Sequence, residues 1–168
     1  MSHAKNKVEW CVKKAEKELK TSDKHRGLVT VEPNLDKARK YIIKAEHYLK
    51  ATDYLKRGNF SDISASTVFY SMYHCLLAIC EKFGYESCNQ ECTFALIYYL
   101  IEENRIDLDK KLLDKIASLD VDNKEKTSIE IREQYQYGTN LSLNDNIYNE
   151  LFELAKSIIS KTKEIIEE

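Results

Sequence analysis

The sequence predicts an all-α protein, an antiparallel helical bundle of four to five core helices with an extra helix at its N-terminus. Helix breakers are scarce, with one proline and four glycines in 168 residues. Apolar residues recur at helical spacing of three and four along most of the chain. One stretch, 61–83, is apolar nearly all round, as a helix inside a bundle must be.

The elements follow in order. Val8, Cys11, Val12, Ala15 and Leu19 form one stripe on a first helix over about 5–20. Gly27 and Pro33 bracket a short non-helical stretch, in which Val29, Thr30 and Val31 are read as loop rather than strand. Asn34 caps a second helix over about 35–57, with Leu35, Ala38, Ile42, Ala45, Leu49 and Leu55 inward. The third helix opens at Ser61 and runs to Phe83. Ala65, Val68, Phe69, Met72, Tyr73, Leu76, Cys80 and Phe83 form its main stripe, which makes it the structural centre. Further helices are expected over about 89–103, 108–118 and 123–137. The last starts near Ser142, with Leu151, Leu154, Ala155, Ile158, Ile159, Thr162 and Ile165 inward. Gly58, Gly84 and Gly138 each read as a left-handed residue ending a helix.

The length fits one domain that buries its core without disulfides. The hydrophobic set is 43% and charged residues are 32%, a globular balance. Twenty-six Lys and Arg against 28 Asp and Glu leave a net charge of -2, so composition gives no global pull toward nucleic acid. The charged N-terminus lacks a secretory apolar region, and no stretch is read as crossing a membrane. A cytoplasmic location follows, with Cys11, Cys75, Cys80, Cys88 and Cys92 as free thiols.

Candidate sites are few. Tyr70, Tyr73 and His74 lie on the apolar third helix, so their polar atoms need partners, and His74 reads as a hydrogen-bonded packing residue. Cys88 and Cys92 share a helix start but lack the further ligands a zinc site wants, so no metal is expected. No phosphate loop, nucleophile elbow or cofactor motif is present. The stretch from Arg132 to Gly138 remains: Arg132, four intervening residues, then Tyr137, at the end of a helix. Glu125, Ser128, Arg132 and Tyr135 are spaced to share one helix face, with Tyr137 on another. A guanidinium, phenols and aromatic faces suit a phosphate and a base.

These residues resemble the HEPN family: Ala65, Tyr70, Tyr73 and His74 on the third helix, the turn containing Asn89, and Arg132 with Tyr135 and Tyr137. The resemblance covers about 34–168 as the HEPN-like bundle and leaves 1–33 as an added helix and connector. It implies a two-fold homodimer in which arginine-histidine motifs meet across the interface, and a minimal nucleotidyltransferase as a partner. Active members are metal-independent ribonucleases. Arg132 matches the family arginine, but Tyr137 stands at the histidine position and Glu133 where a small polar residue is common. A phenol titrates near ~10 and an imidazole near ~6.5, so the swap removes the natural proton shuttle. The resemblance therefore implies a dimeric module that binds a nucleotide, an RNA phosphate or a partner protein through Arg132, Tyr135 and Tyr137, without ribonuclease chemistry or cofactor. The competing expectation is an RNA-cleaving toxin or defence ribonuclease with Arg132 and Tyr137 catalytic. A scaffold or antitoxin-like subunit, with Arg132 only buttressing the dimer, is a third.

Overall fold

Helices α2 (Leu35–Arg57) and α3 (Ser61–Lys82) form an antiparallel hairpin through Gly58, Asn59 and Phe60. Their seam is written in small residues seven apart. Ala38, Ala45 and Thr52 face Ala78, Ser71 and Ser64 respectively, each pair one heptad further along. Ser71 Oγ donates to the carbonyl of Ala45 at 2.8 Å, and Ser64 Oγ to that of Thr52 at 3.1 Å. Thr52 and Thr67 hydroxyls meet at 2.8 Å. Small side chains let the backbones approach, and the Ser64 and Ser71 hydroxyls each spend their donor on a helical carbonyl's second lone pair.

The computed structural model describes residues 2–117 and 126–168. The other described elements are α1 (His3–Leu19), β1 (Leu28–Thr30), β2 (Tyr85–Ser87), α4 (Gln90–Glu102), α5 (Lys110–Ile116), α6 (Ser128–Tyr137) and α7 (Asp145–Glu167). The all-α bundle is as the sequence predicts. α3 is its centre, packed by α2, α7, α6 and α4. Phe69, Met72, Cys75, Leu76 and Ile79 are fully enclosed. By length and a mean hydropathy of 1.4, α3 would in fact reach across a bilayer, which corrects the composition reading; in the bundle its apolar faces are covered instead. α7 lays Leu151, Ala155, Ile158, Ile159 and Ile165 on the core, each large side chain worth roughly 1.5–3 kcal/mol on burial.

Several boundaries differ from the expectation for local reasons. α6 begins at Ser128, because Thr127 and Glu130 form a reciprocal capping box; residues 123–125 of the expected helix lie outside those described. α5 is shorter than expected, with Asp109 as cap and Ala117 extended. α7 starts after Asn144, which caps it, while Leu143 is buried and donates its N–H to Ser61 Oγ at 2.9 Å. Leu19 and Leu35, expected inward, are exposed at helix ends. Of the three glycines, Gly84 alone is left-handed, at φ 74; after α2 that role passes to Asn59, at φ 65, and Gly138 is extended.

Two corrections concern the N-terminal segment. β1 is a strand, not a loop, paired antiparallel with β2 in the register Leu28↔Ser87, Val29↔Glu86, Thr30↔Tyr85. Cys11 on α1 and Cys92 on α4 are joined as a disulfide, so the free-thiol reading holds only for Cys75, Cys80 and Cys88. α1 packs on α4 and β1, and Ala4, Val8 and Cys11 enter the same core as α3.

Candidate functional site

The capping box fixes the start of α6 and so fixes which residues turn inward. Ile131 and Arg132 face the bundle and are buried. The Arg132 guanidinium carbon lies 4.8 Å from the centre of the Phe69 ring and 5.8 Å from that of Tyr70. Its Nη1 donates to the Tyr70 phenol at 3.2 Å and its Nη2 to Glu133 Oε1 at 3.3 Å. Among the described residues, Nε is buried without a hydrogen-bond partner. A cation over an aromatic face is attracted by the ring quadrupole, and more so when water is excluded.

Tyr70 leads to the rest of the site. His74 follows it one turn along α3, on the same face. From α2, the Tyr48 ring meets His74 edge-on at 5.0 Å and lies 6.3 Å from Tyr70, while Tyr41 stacks on His74 at 5.9 Å. Lys44 holds its ammonium 5.5 Å from the centre of the Tyr48 ring. These rings are half-buried, so the strip is reachable from solvent along one edge. Burial, helped by the Lys44 charge, holds the His74 imidazole below its ordinary pKa. Its Nδ1 is also buried without a partner among the described residues, so the expected hydrogen bond of a packing histidine is not made at that nitrogen. Protonation would leave a second N–H unpaired in the core, which agrees with the direction of the shift.

The remaining candidates point elsewhere. Tyr135 lines a groove of about 840 Å³ between α6 and α7, with Leu112, Ile131, Leu151 and Leu154. Tyr137 is 78% exposed at the end of α6. Ser128 donates to the Lys115 carbonyl at 3.2 Å and so faces α5, while Arg132 faces α3. Glu125, expected on the same face, lies outside the described residues. Tyr73, pushed up to about 12 by burial, bonds to Thr93 at 3.1 Å and belongs to the α3–α4 contact. Within one chain the structure thus gathers Arg132 with Tyr70 and Phe69, not with Tyr135 or Tyr137. The α2 contribution of Tyr41, Lys44 and Tyr48 was missed by the sequence reading, although their spacing of three and four marks one helix face.

Fold and site together define an all-α bundle carrying a half-buried strip of arginine, tyrosines and a neutral histidine. In comparisons with known proteins, no family model matches the chain and no curated sequence does.

Proposed function

We propose that this protein is a dimeric module of HEPN type that holds a phosphate of RNA or of a nucleotide at Arg132 and does not cleave it. The observation that carries the reading is the electrostatic state of Arg132. Its side chain is 10% exposed, yet its single ion pair among the described residues is with Glu133, whose side chain is 53% exposed. No buried acid among the described residues neutralises the guanidinium, and its Nε has no hydrogen-bond partner among them. A phosphate supplies the charge and the acceptor oxygens that this group lacks. Such an anion takes over the Nη2 contact that the half-exposed Glu133 carboxylate now makes.

Exposed apolar groups support a second copy as partner. Tyr54, Phe60, Ile63, Tyr137 and Leu141 are all large and exposed, around the α2–α3 turn and the connector that leads into α7. Burying them between two chains brings Tyr137, as a hydrogen-bond donor, to an interface rather than to bulk water. A minimal nucleotidyltransferase is the protein partner this reading expects.

The test is fluorescence anisotropy with a labelled single-stranded RNA, competed by a mononucleotide, at low salt. Loss of a charged hydrogen bond in Arg132→Ala costs roughly 1.5–3 kcal/mol, or about 10- to 100-fold in affinity. Equal binding by both proteins removes Arg132 from the account. RNA cut by the wild type, and by neither Arg132→Ala nor Tyr137→Phe, replaces this reading with the ribonuclease.

A further inference from the structure

We propose that His25, Glu86 and Cys88 form a binding site for a zinc-class divalent cation. The site lies on the two-stranded sheet and is independent of the Arg132 strip. His25 stands three residues before β1 begins, Glu86 is in the middle of β2, and Cys88 directly follows β2. The ladder continues past the strands, since Cys88 donates its N–H to the Gly27 carbonyl at 3.2 Å. Glu86 and Cys88, two residues apart on an extended segment, project to the same side. His25 Nε2 lies 3.1 Å from Glu86 Oε1, and the imidazole, carboxylate and sulfur donor atoms are all within 4.8 Å of one another.

The donor set selects the ion. One nitrogen, one oxygen and one sulfur suit a borderline-soft cation that accepts tetrahedral geometry, not magnesium or calcium, which take oxygen. Tetrahedral donors at about 2.0–2.3 Å from zinc stand roughly 3.3–3.8 Å apart. His25 and Glu86, at 3.1 Å, stand just inside that spacing and need part only slightly to admit the ion. The sulfur closes the rest by rotation, since Cys88 is exposed. Three protein ligands leave one position for water or a small anion.

The histidine is pre-placed. Its side chain is 6% exposed, and Nδ1 accepts the Gly27 N–H at 3.3 Å. Gly27 is itself seated tightly, for a Cβ there would strike the Cys11 carbonyl. Coordination through Nε2 moves the ring proton to Nδ1, so this long backbone bond is given up. Cys88 releases its thiol proton to solvent, and one proton therefore leaves per ion bound. Burial and the neighbouring Glu86 carboxylate raise the Cys88 thiol, and the cation reverses that field. Lys37, whose charge acts on Cys88 in the opposite sense, is tied to Glu81 at 2.7 Å. Cys11 and Cys92 are occupied with each other and are not ligands.

Cobalt(II) reports this site directly, because thiolate ligation gives a near-ultraviolet charge-transfer band. The full chain, without reductant, is titrated with cobalt and then with zinc. The expected result is one cobalt per chain with that band, displaced by zinc and unaffected by magnesium. Cys88→Ser, at an exposed position, keeps the circular dichroism of the wild type and loses the band, and Glu86→Gln weakens cobalt binding at least tenfold. Absence of the band at a tenfold excess of cobalt, or a band that survives Cys88→Ser, overturns the proposal.

Discussion

Arg132 of α6 donates to the phenol of Tyr70 on α3 across 3.2 Å, with its guanidinium over the Phe69 ring. The contact joins a ten-residue helix to the central helix of the bundle. It also orients the charge, since two edges of the guanidinium are used and Nε is left over.

Competition between Glu133 and an incoming anion gives the first prediction, on the phosphate-binding reading. Glu133→Gln removes a like charge from the site and tightens RNA binding by about 1 kcal/mol or less, since its carboxylate is largely solvated. Arg132→Lys does not restore wild-type affinity, because an ammonium lacks the planar fork that bonds Tyr70 and a phosphate at once. Anisotropy titrations of both variants check this, and weaker binding by Glu133→Gln would refute the competition.

Acid sensitivity follows from His74. Its folded pKa lies below the unfolded value of about 6.5. A depressed pKa contributes stability that is complete above the unfolded value and is lost as pH falls toward the folded one. His74→Phe keeps a ring against Tyr41 and Tyr48 without a titrating group. Urea unfolding at pH 7.5 and pH 5 is expected to show a smaller loss for the variant than for the wild type. An equal loss would assign the acid sensitivity elsewhere.

The α2–α3 seam tolerates little volume. Ser71 is fully enclosed against Ala45. Ser71→Ala loses one hydrogen bond, about 1 kcal/mol. Ser71→Leu overpacks the seam at a cost of about 1–3 kcal/mol or more. Thermal melts should rank wild type, alanine variant and leucine variant in that order.

The disulfide closes a long loop, with a sequence separation of 81 between Cys11 and Cys92. Constraining the unfolded chain in this way is worth up to about 4.5 kcal/mol in the loop-entropy account. A Cys11→Ser, Cys92→Ser double variant should lose a large part of that in chemical denaturation. Alkylation of the denatured wild type should label three cysteines without reductant and five with it. Labelling of all five in both cases would show the bond unformed.

What the residues disclosed in advance was local. The span of α2, its Asn34 cap and the centrality of α3 follow from periodicity and from one side-chain oxygen accepting the Lys37 N–H at 2.9 Å. Pairings between distant segments were not legible. Strands of three residues carry no period to read, and Cys11 and Cys92 have no local signal joining them. The surroundings of Arg132 fell between these cases. Arg132 itself stood out, but its neighbours on α2 depend on which face of that helix meets α3. The small residues at 38, 45, 52, 64, 71 and 78 set that face. Their heptad spacing was present in the sequence, masked by the larger side chains beside it.

The bond between α1 and α4 turns the intervening chain into a closed ring that contains both helices of the α2–α3 hairpin. A protease that nicks any peptide bond from Val12 to Glu91 produces two pieces still held by a covalent tether. Such a cut would be invisible on a non-reducing gel and plain on a reducing one.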